Sequence, residues 1–195
     1  YWYKLAADAG SVDAVFSVAQ SYEYNYHDYE KAFEWYTKAY EMGDDYAAAF
    51  IGYLYYDGDG VEQDYSKALE WLQKGAIENV YARFRIGEMY YKGIGVETDY
   101  GLAREWYERA LYSGNDYATM DSLTRLGQIY FNGLGVRQDK LKALEYYEEA
   151  AGYGAPTAIR AIADMYSLGD GIEKDTAKAA EYYNMPVNPE IPELD

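Results

Sequence analysis

An all-α fold of antiparallel helix pairs stacked as a solenoid follows from three features of this sequence. A helical apolar stripe recurs five times, an Asp opens a second helix after each stripe, and equivalent aromatic positions lie 35 to 40 residues apart. That spacing is the length of a two-helix repeat.

The stripe is marked by Gly followed three residues later by Tyr: Gly52 and Tyr55, Gly87 and Tyr90, Gly127 and Tyr130, with Ala19 and Tyr22 and Ala163 and Tyr166 as variants. An aliphatic residue precedes each (Val18, Ile51, Ile86, Leu126, Ile162), and a small one stands five before it (Ala14, Ala47, Ala82, Ser122, Ala158). Spacings of four and eight describe one face of a helix.

Each stripe leads into a short loop: "DGDGV" at 57–61, "GIGV" at 93–96, "GLGV" at 133–136 and "GDGI" at 169–172. The first unit has "EYNYHDYEKA" instead, shorter by three residues. Asp28, Asp64, Asp99, Asp139 and Asp175 then N-cap a second helix, usually with Lys three on, then Ala, then an aromatic: Trp35, Trp71, Trp106, Tyr146 and Tyr182. Those aromatics are expected in the core, because they recur at one place in each unit. Gly10, Gly43, Gly114 and Gly154 end second helices. Four extra residues around "ATMDSLTR" add about one turn to the fourth unit.

The resulting plan is a final helix of one repeat at 1–10, then repeats at about 11–43, 44–79, 80–114, 115–154 and 155–183. A tail at 184–195 carries three of the four prolines and is expected to leave the array as an extended segment. The opening "YWYKLAADAG" has no initiator Met or leader, so the chain is expected to be a fragment trimmed at its start.

The pattern small-x3-[IVL]-Gly-x-x-Tyr-x-x-Gly-x-Gly-Val-x3-Asp-x-x-Lys-Ala-x-x-[WY]-Tyr resembles the Sel-1-like repeat, a relative of the tetratricopeptide repeat. Four units match closely and the first matches without its glycine loop, so the resemblance covers all but the tail. It implies a right-handed superhelix serving as an adaptor or scaffold, without catalytic activity, and binding along a concave groove lined by first helices.

Composition narrows the function classes. A formal net charge of -17 argues against nucleic acid and anionic membranes, whose contacts draw on Lys and Arg, and favours a basic protein or a peptide. No apolar run approaches the roughly 20 residues that span a bilayer. With no cysteine and one histidine, His27, neither a Cys–His metal centre nor a thiol nucleophile can be assembled, and no cofactor is expected. "DGDGVEQD" at 57–64 fails as a calcium loop because Val61 occupies a ligand position. The glycine loops lack a phosphate-binding lysine, and Asp capping the following helix repels an anion.

Function is then sought at equivalent positions that vary between units. On a wheel of 100° per residue, two positions of each first helix fall at about 300° and 240°, away from the core stripe. They are Ser17 and Gln20, Phe50 and Tyr53, Arg85 and Glu88, Arg125 and Gln128, and Ala161 and Asp164. Aromatic and Arg residues are frequent interface hot spots. The reading is a non-enzymatic adaptor binding a protein or peptide along this ladder, or through its acidic outer face. Two alternatives stand beside it: an immunity or inhibitor protein that occludes a toxin, and the binding region of a larger enzyme or membrane protein. Compartment and oligomeric state are not encoded in these features.

Overall fold

The computed structural model describes residues 7, 10–111, 116–187 and 191–194. Among these there are ten α-helices and no strand. They are α1 (Val12–Gln20, continued by a π-helical turn Ser21–Asn25), α2 (Tyr29–Glu41), α3 (Ala47–Asp57), α4 (Tyr65–Gly75), α5 (Val80–Lys92), α6 (Tyr100–Ala110), α7 (Asp116–Asn132), α8 (Lys140–Gly152), α9 (Pro156–Leu168) and α10 (Thr176–Tyr183). The expected helix at 1–10 lies outside the described residues except for Ala7 and Gly10. No described helix is long and apolar enough to cross a membrane.

The chain divides into two compact units, residues 1–98 and 99–195. In the first, each helix from α1 to α5 packs on the next; in the second, α6 to α10 do the same. Short connections make successive helices antiparallel.

The repeated motif can be traced to backbone needs. Gly58, Gly93 and Gly169 end α3, α5 and α9 in the left-handed conformation, and their N–H groups bond the carbonyls of Leu54, Met89 and Met165. The next residues, Asp59, Ile94 and Asp170, donate to the same carbonyls, completing a helix-terminating turn. The N–H groups of Asp64, Asp139 and Asp175 then close each loop on Tyr55, Tyr130 and Tyr166 O at 2.9–3.0 Å. All five Asp caps form: their carboxylates accept from Lys31, Ser66 and Lys67, Leu102, Lys142, and Ala177 and Lys178 N–H. Each such cap contributes about 1 kcal/mol.

The Tyr and Lys of the motif meet. Lys31, Lys67, Lys142 and Lys178 Nζ lie over the rings of Tyr22, Tyr55, Tyr130 and Tyr166, 4.1–5.4 Å from their centroids. Exposed cation–π contacts of this kind are worth roughly 0.5–1 kcal/mol.

In the first four repeats the core residue is one later than expected; in the fifth, Tyr183 is exposed. Tyr36, Leu72, Tyr107 and Tyr147 are buried, whereas Trp35, Trp71 and Trp106 are only partly covered. A helix turns about 100° per residue, so the pair straddles the core edge. The outer ring of each pair instead stacks under a cation one turn on: Lys38 over Trp35, Lys74 over Trp71 and Arg109 over Trp106.

Two local departures stand out. The first unit, lacking glycines, turns through the π-helical segment and His27, which takes the left-handed conformation at φ 52°. The described residues of the tail are non-helical, and Glu193 and Leu194 lie back on α9 instead of leaving. Leu194 N–H donates to Thr157 Oγ1 at 2.9 Å, and Glu193 pairs with Arg160 at 3.6 Å. Met185, Val187 and Glu193 line an open cleft together with Ile159, Tyr182 and Tyr183 of α9 and α10.

Candidate functional site

Within the first unit, helices α1 and α3 bring a row of rings together. Phe16 and Phe50 meet edge to face with centroids 5.1 Å apart, and Tyr46 lies 5.6 Å from Phe16 and 5.3 Å from Phe50. Tyr53 continues the row 6.1 Å from Phe50 and approaches Asn79 Oδ1 with its hydroxyl at 3.4 Å. Tyr36 of α2 stacks beneath Phe50 at 5.0 Å. The row is anchored in the core at Tyr36 and open at Tyr46, 36% exposed, and beyond it at Tyr24, 58% exposed.

Carboxylates border the rings. The Tyr36 hydroxyl donates to Glu23 Oε2. Burial raises the Glu23 carboxyl above its usual 4.5, opposed by hydrogen bonds from Tyr36 and Tyr24 and reinforced by Asp59 and Asp57. Burial and Glu23 together push the Tyr24 phenol up to about 12. Asp57 is raised by burial, lowered by Arg85, and raised again by Asp59. The Arg85 guanidinium lies over the Tyr56 ring, 4.8 Å from its centroid.

The ladder residues separate into three groups. Phe50, Tyr53 and Arg85 are half-buried and belong to this face. Ser17 and Gln20 are half-buried on α1, with Ser17 Oγ donating back to Asp13 O at 2.8 Å. Glu88 and Arg125 are not surface residues: Glu88 is 5% exposed and paired with Lys92 at 3.2 Å, and Arg125 is 1% exposed and donates to Gln128 Oε1 at 2.9 Å. A wheel places a side chain relative to its own helix pair. It does not show a long side chain folding along its helix or being covered by a neighbour.

The second unit presents a different face. Ala161 and Asp164, with Phe131, Tyr147, Met165, Leu168 and Asp170, line a cleft of about 170 Å³. Asp164 accepts a hydrogen bond from Tyr183, on the following helix. Among the described residues no group of three His, Cys, Asp or Glu side chains could hold a metal ion. The signal missed in the sequence is Phe16 with Tyr24 and Glu23. They lie off the two ladder positions, in and before the segment read only as a shortened loop.

Comparison with known proteins accords with this architecture. A Sel1 repeat protein from Oxalobacter formigenes superimposes with a TM-score of 0.78 at 29% identity, covering 90% of this chain and 71% of that one. A protective antigen of uropathogenic Escherichia coli, displaying an SLR fold, gives 0.81 at 31% identity, over 93% of this chain and 39% of its own. An immunity protein from Pseudomonas aeruginosa gives 0.50 at 27% identity, over 88% and 63%. A search of curated protein sequences finds no match. The Sel1 repeat model matches residues 1–11, 18–44, 45–79, 80–115, 121–152 and 156–185. The chain therefore belongs to the Sel1 repeat family, typically a non-enzymatic fold for protein–protein interaction.

Proposed function

We propose that this chain is a non-enzymatic scaffold that binds a protein or peptide through the first-helix face of residues 1–98, with Phe50, Tyr53 and Arg85 at the contact. The observation that supports it most is the row Phe16, Tyr46, Phe50 and Tyr53, whose rings pack against one another while Tyr46 stays open to solvent. Preordered aromatic surface loses little conformational entropy on binding, which is why such residues dominate interface energetics. Glu88 and Arg125 brace first helices from within. Gln20 contributes at the edge of the contact. Ser17, Gln128 and Asp164 remain part of the proposed ladder beyond it.

The test is affinity capture with the whole chain, comparing Tyr46→Ser with Tyr153→Ser, an exposed tyrosine of the second unit. A partner lost selectively with Tyr46→Ser, at unchanged melting temperature, supports the reading; equal retention by both overturns it.

Occlusion of a toxin, as an immunity protein would do, is a second reading, favoured by the likeness to the Pseudomonas aeruginosa immunity protein. Rescue of growth on co-expression with a toxin encoded beside the gene would distinguish it. A role as the binding region of a larger enzyme or membrane protein would show in the full gene product.

A further inference from the structure

One joint of the repeat departs from the others in charge, and its departures meet in space. Arg104, five residues after the cap Asp99, stands where the other second helices carry Phe33, Leu69, Leu144 and Ala180. Arg137, two residues before the cap Asp139, stands where the other glycine loops carry Glu62, Glu97 and Glu173. The repeat is built elsewhere without a cation at either position, so neither Arg is a requirement of the fold.

Both line one open pocket of about 690 Å³ in the second unit, with Tyr130, Gln138, Asp139 and Lys142. Lys142 Nζ donates to the Tyr130 hydroxyl at 2.9 Å, and Arg104 reaches the same tyrosine from α6. Arg104 Nη1 pairs with Glu108 at 2.9 Å, whereas its Nε is buried with no hydrogen-bond partner among the described residues. A phenol that accepts from a cation keeps its own proton to donate. Gln138 Nε2 donates to Phe131 O at 2.7 Å and Asp139 N–H to Tyr130 O at 3.0 Å, which holds the loop carrying Arg137 in place.

Three cations, Arg104, Arg137 and Lys142, thus face two acids, Asp139 and Glu108. Equivalent sequence positions at the other glycine joints hold Lys67 against Glu62 and Asp64, Glu97 and Asp99 with no cation, and Lys174 and Lys178 against Glu173, Asp175 and Glu148. Acids outnumber cations at all three. A local cation excess in a chain of net charge -17 selects by size: a polyanion is repelled by the whole, and one compact anion is held by the pocket. The cations come from α6, the loop and α8, and so meet an anion from several sides. That suits a tetrahedral phosphate of charge about -2, whereas a planar carboxylate is matched by a single guanidinium fork.

We propose that Arg104, Arg137, Lys142 and the Tyr130 hydroxyl bind a phosphate monoester, carried on a phosphorylated residue or on a free phosphorylated compound. Side chains hold the anion; the loop glycines serve the turn alone, and the opposing Asp139 is outnumbered. The site lies within the second unit and does not depend on the scaffold reading of the first.

Fluorescence anisotropy of a labelled Gly-Ser-phosphoserine-Ser-Gly peptide, titrated into the full chain at low ionic strength, tests it. Saturable binding displaced by inorganic phosphate is expected, with the glutamate counterpart of the peptide weaker by about fivefold or more. Arg137→Glu restores the residue of the other loops on an exposed side chain and is expected to weaken binding by about tenfold or more. Lys174→Glu makes the same charge change in the next loop and is expected to alter affinity less than about threefold. Equal weakening by the two variants would mean diffuse attraction and would overturn the proposal. So would equal affinity for the glutamate peptide, or no saturable binding of either the phosphopeptide or inorganic phosphate. Should thermal melts show that Arg137→Glu loosens the fold, Arg137→Gln is read in its place. Inorganic phosphate binding as tightly as the peptide identifies a free phosphorylated compound as the occupant, and a peptide bound more tightly identifies a phosphorylated segment.

Discussion

Gly127 on α7 and Tyr147 on α8 approach so closely that a Cβ at Gly127 would lie 2.4 Å from Tyr147 Cε1. The same relationship joins Gly52 and Leu72, at 2.8 Å. Gly52 and Gly127 are thus the slots for the core residues Leu72 and Tyr147 of the following helices. Gly127→Ala is expected to destabilise by about 1–2 kcal/mol, overpacking outweighing the gain in helix propensity. Gly152→Ala, at the end of α8 with nothing within 4 Å, is expected to stabilise by about 0.5 kcal/mol. Urea denaturation of the two variants compares them directly.

His27 does without glycine what the later loops do with it. At φ 52° a side chain is strained, though His tolerates this region better than most residues. His27→Gly is expected to raise stability by about 0.5 kcal/mol, relief of strain exceeding the entropy given to the unfolded chain. His27→Val is expected to lower it by about 1–2 kcal/mol. Thermal melts at fixed pH separate these outcomes.

Acid titration gives a signature of the carboxylate-lined face. Glu23, Asp57 and Asp44 have folded pKa values raised above their usual 4.5, 3.8 and 3.8, with burial the first cause in each. Above the unfolded value the folded protein holds more protons than the unfolded one, so stability falls as pH rises through the raised values. Asp28 and Asp64 are lowered, by hydrogen bonds from Lys31 and Lys67 respectively, and their contribution is lost as pH falls below about 3.8. Stability is therefore expected to peak at mildly acidic pH, between these windows. Glu23→Gln is expected to flatten the decline toward neutral pH, as read from urea midpoints between pH 4 and 7.

The returning tail should matter little but measurably. Residues 191–194 are tied back by a hydrogen bond to Thr157 and an exposed ion pair to Arg160. Deleting residues 191–195 is expected to cost about 1 kcal/mol, and Arg160→Ala alone less than about 0.5 kcal/mol. A denaturant series with the three proteins checks the order.

The sequence carried the repeat because its motif residues are each tied to a local backbone demand. Asp28, Asp64, Asp99, Asp139 and Asp175 cap helices wherever they occur, and Gly58, Gly93 and Gly169 are needed for positive φ. Properties set by neighbours were harder to read. Trp35 and Tyr36 lie side by side in sequence, and only packing decides that Tyr36 is the buried one. Arg125 looked like a surface cation because a wheel carries no information about coverage. The tail's composition excluded a helix but could not reveal its bond to Thr157. Of the candidate face, Phe50, Tyr53 and Arg85 were legible; Phe16 needed its contact with Phe50 of α3, and Glu23 its bond from Tyr36 of α2.

Binding through the aromatic row of the first unit is tested most directly by hydrogen–deuterium exchange on the chain with its captured partner. Protection should concentrate in residues 16–26 and 46–60, with the second helices α2 and α4 and the second unit unchanged. Protection confined to α2 and α4, or to residues 99–187, would contradict it.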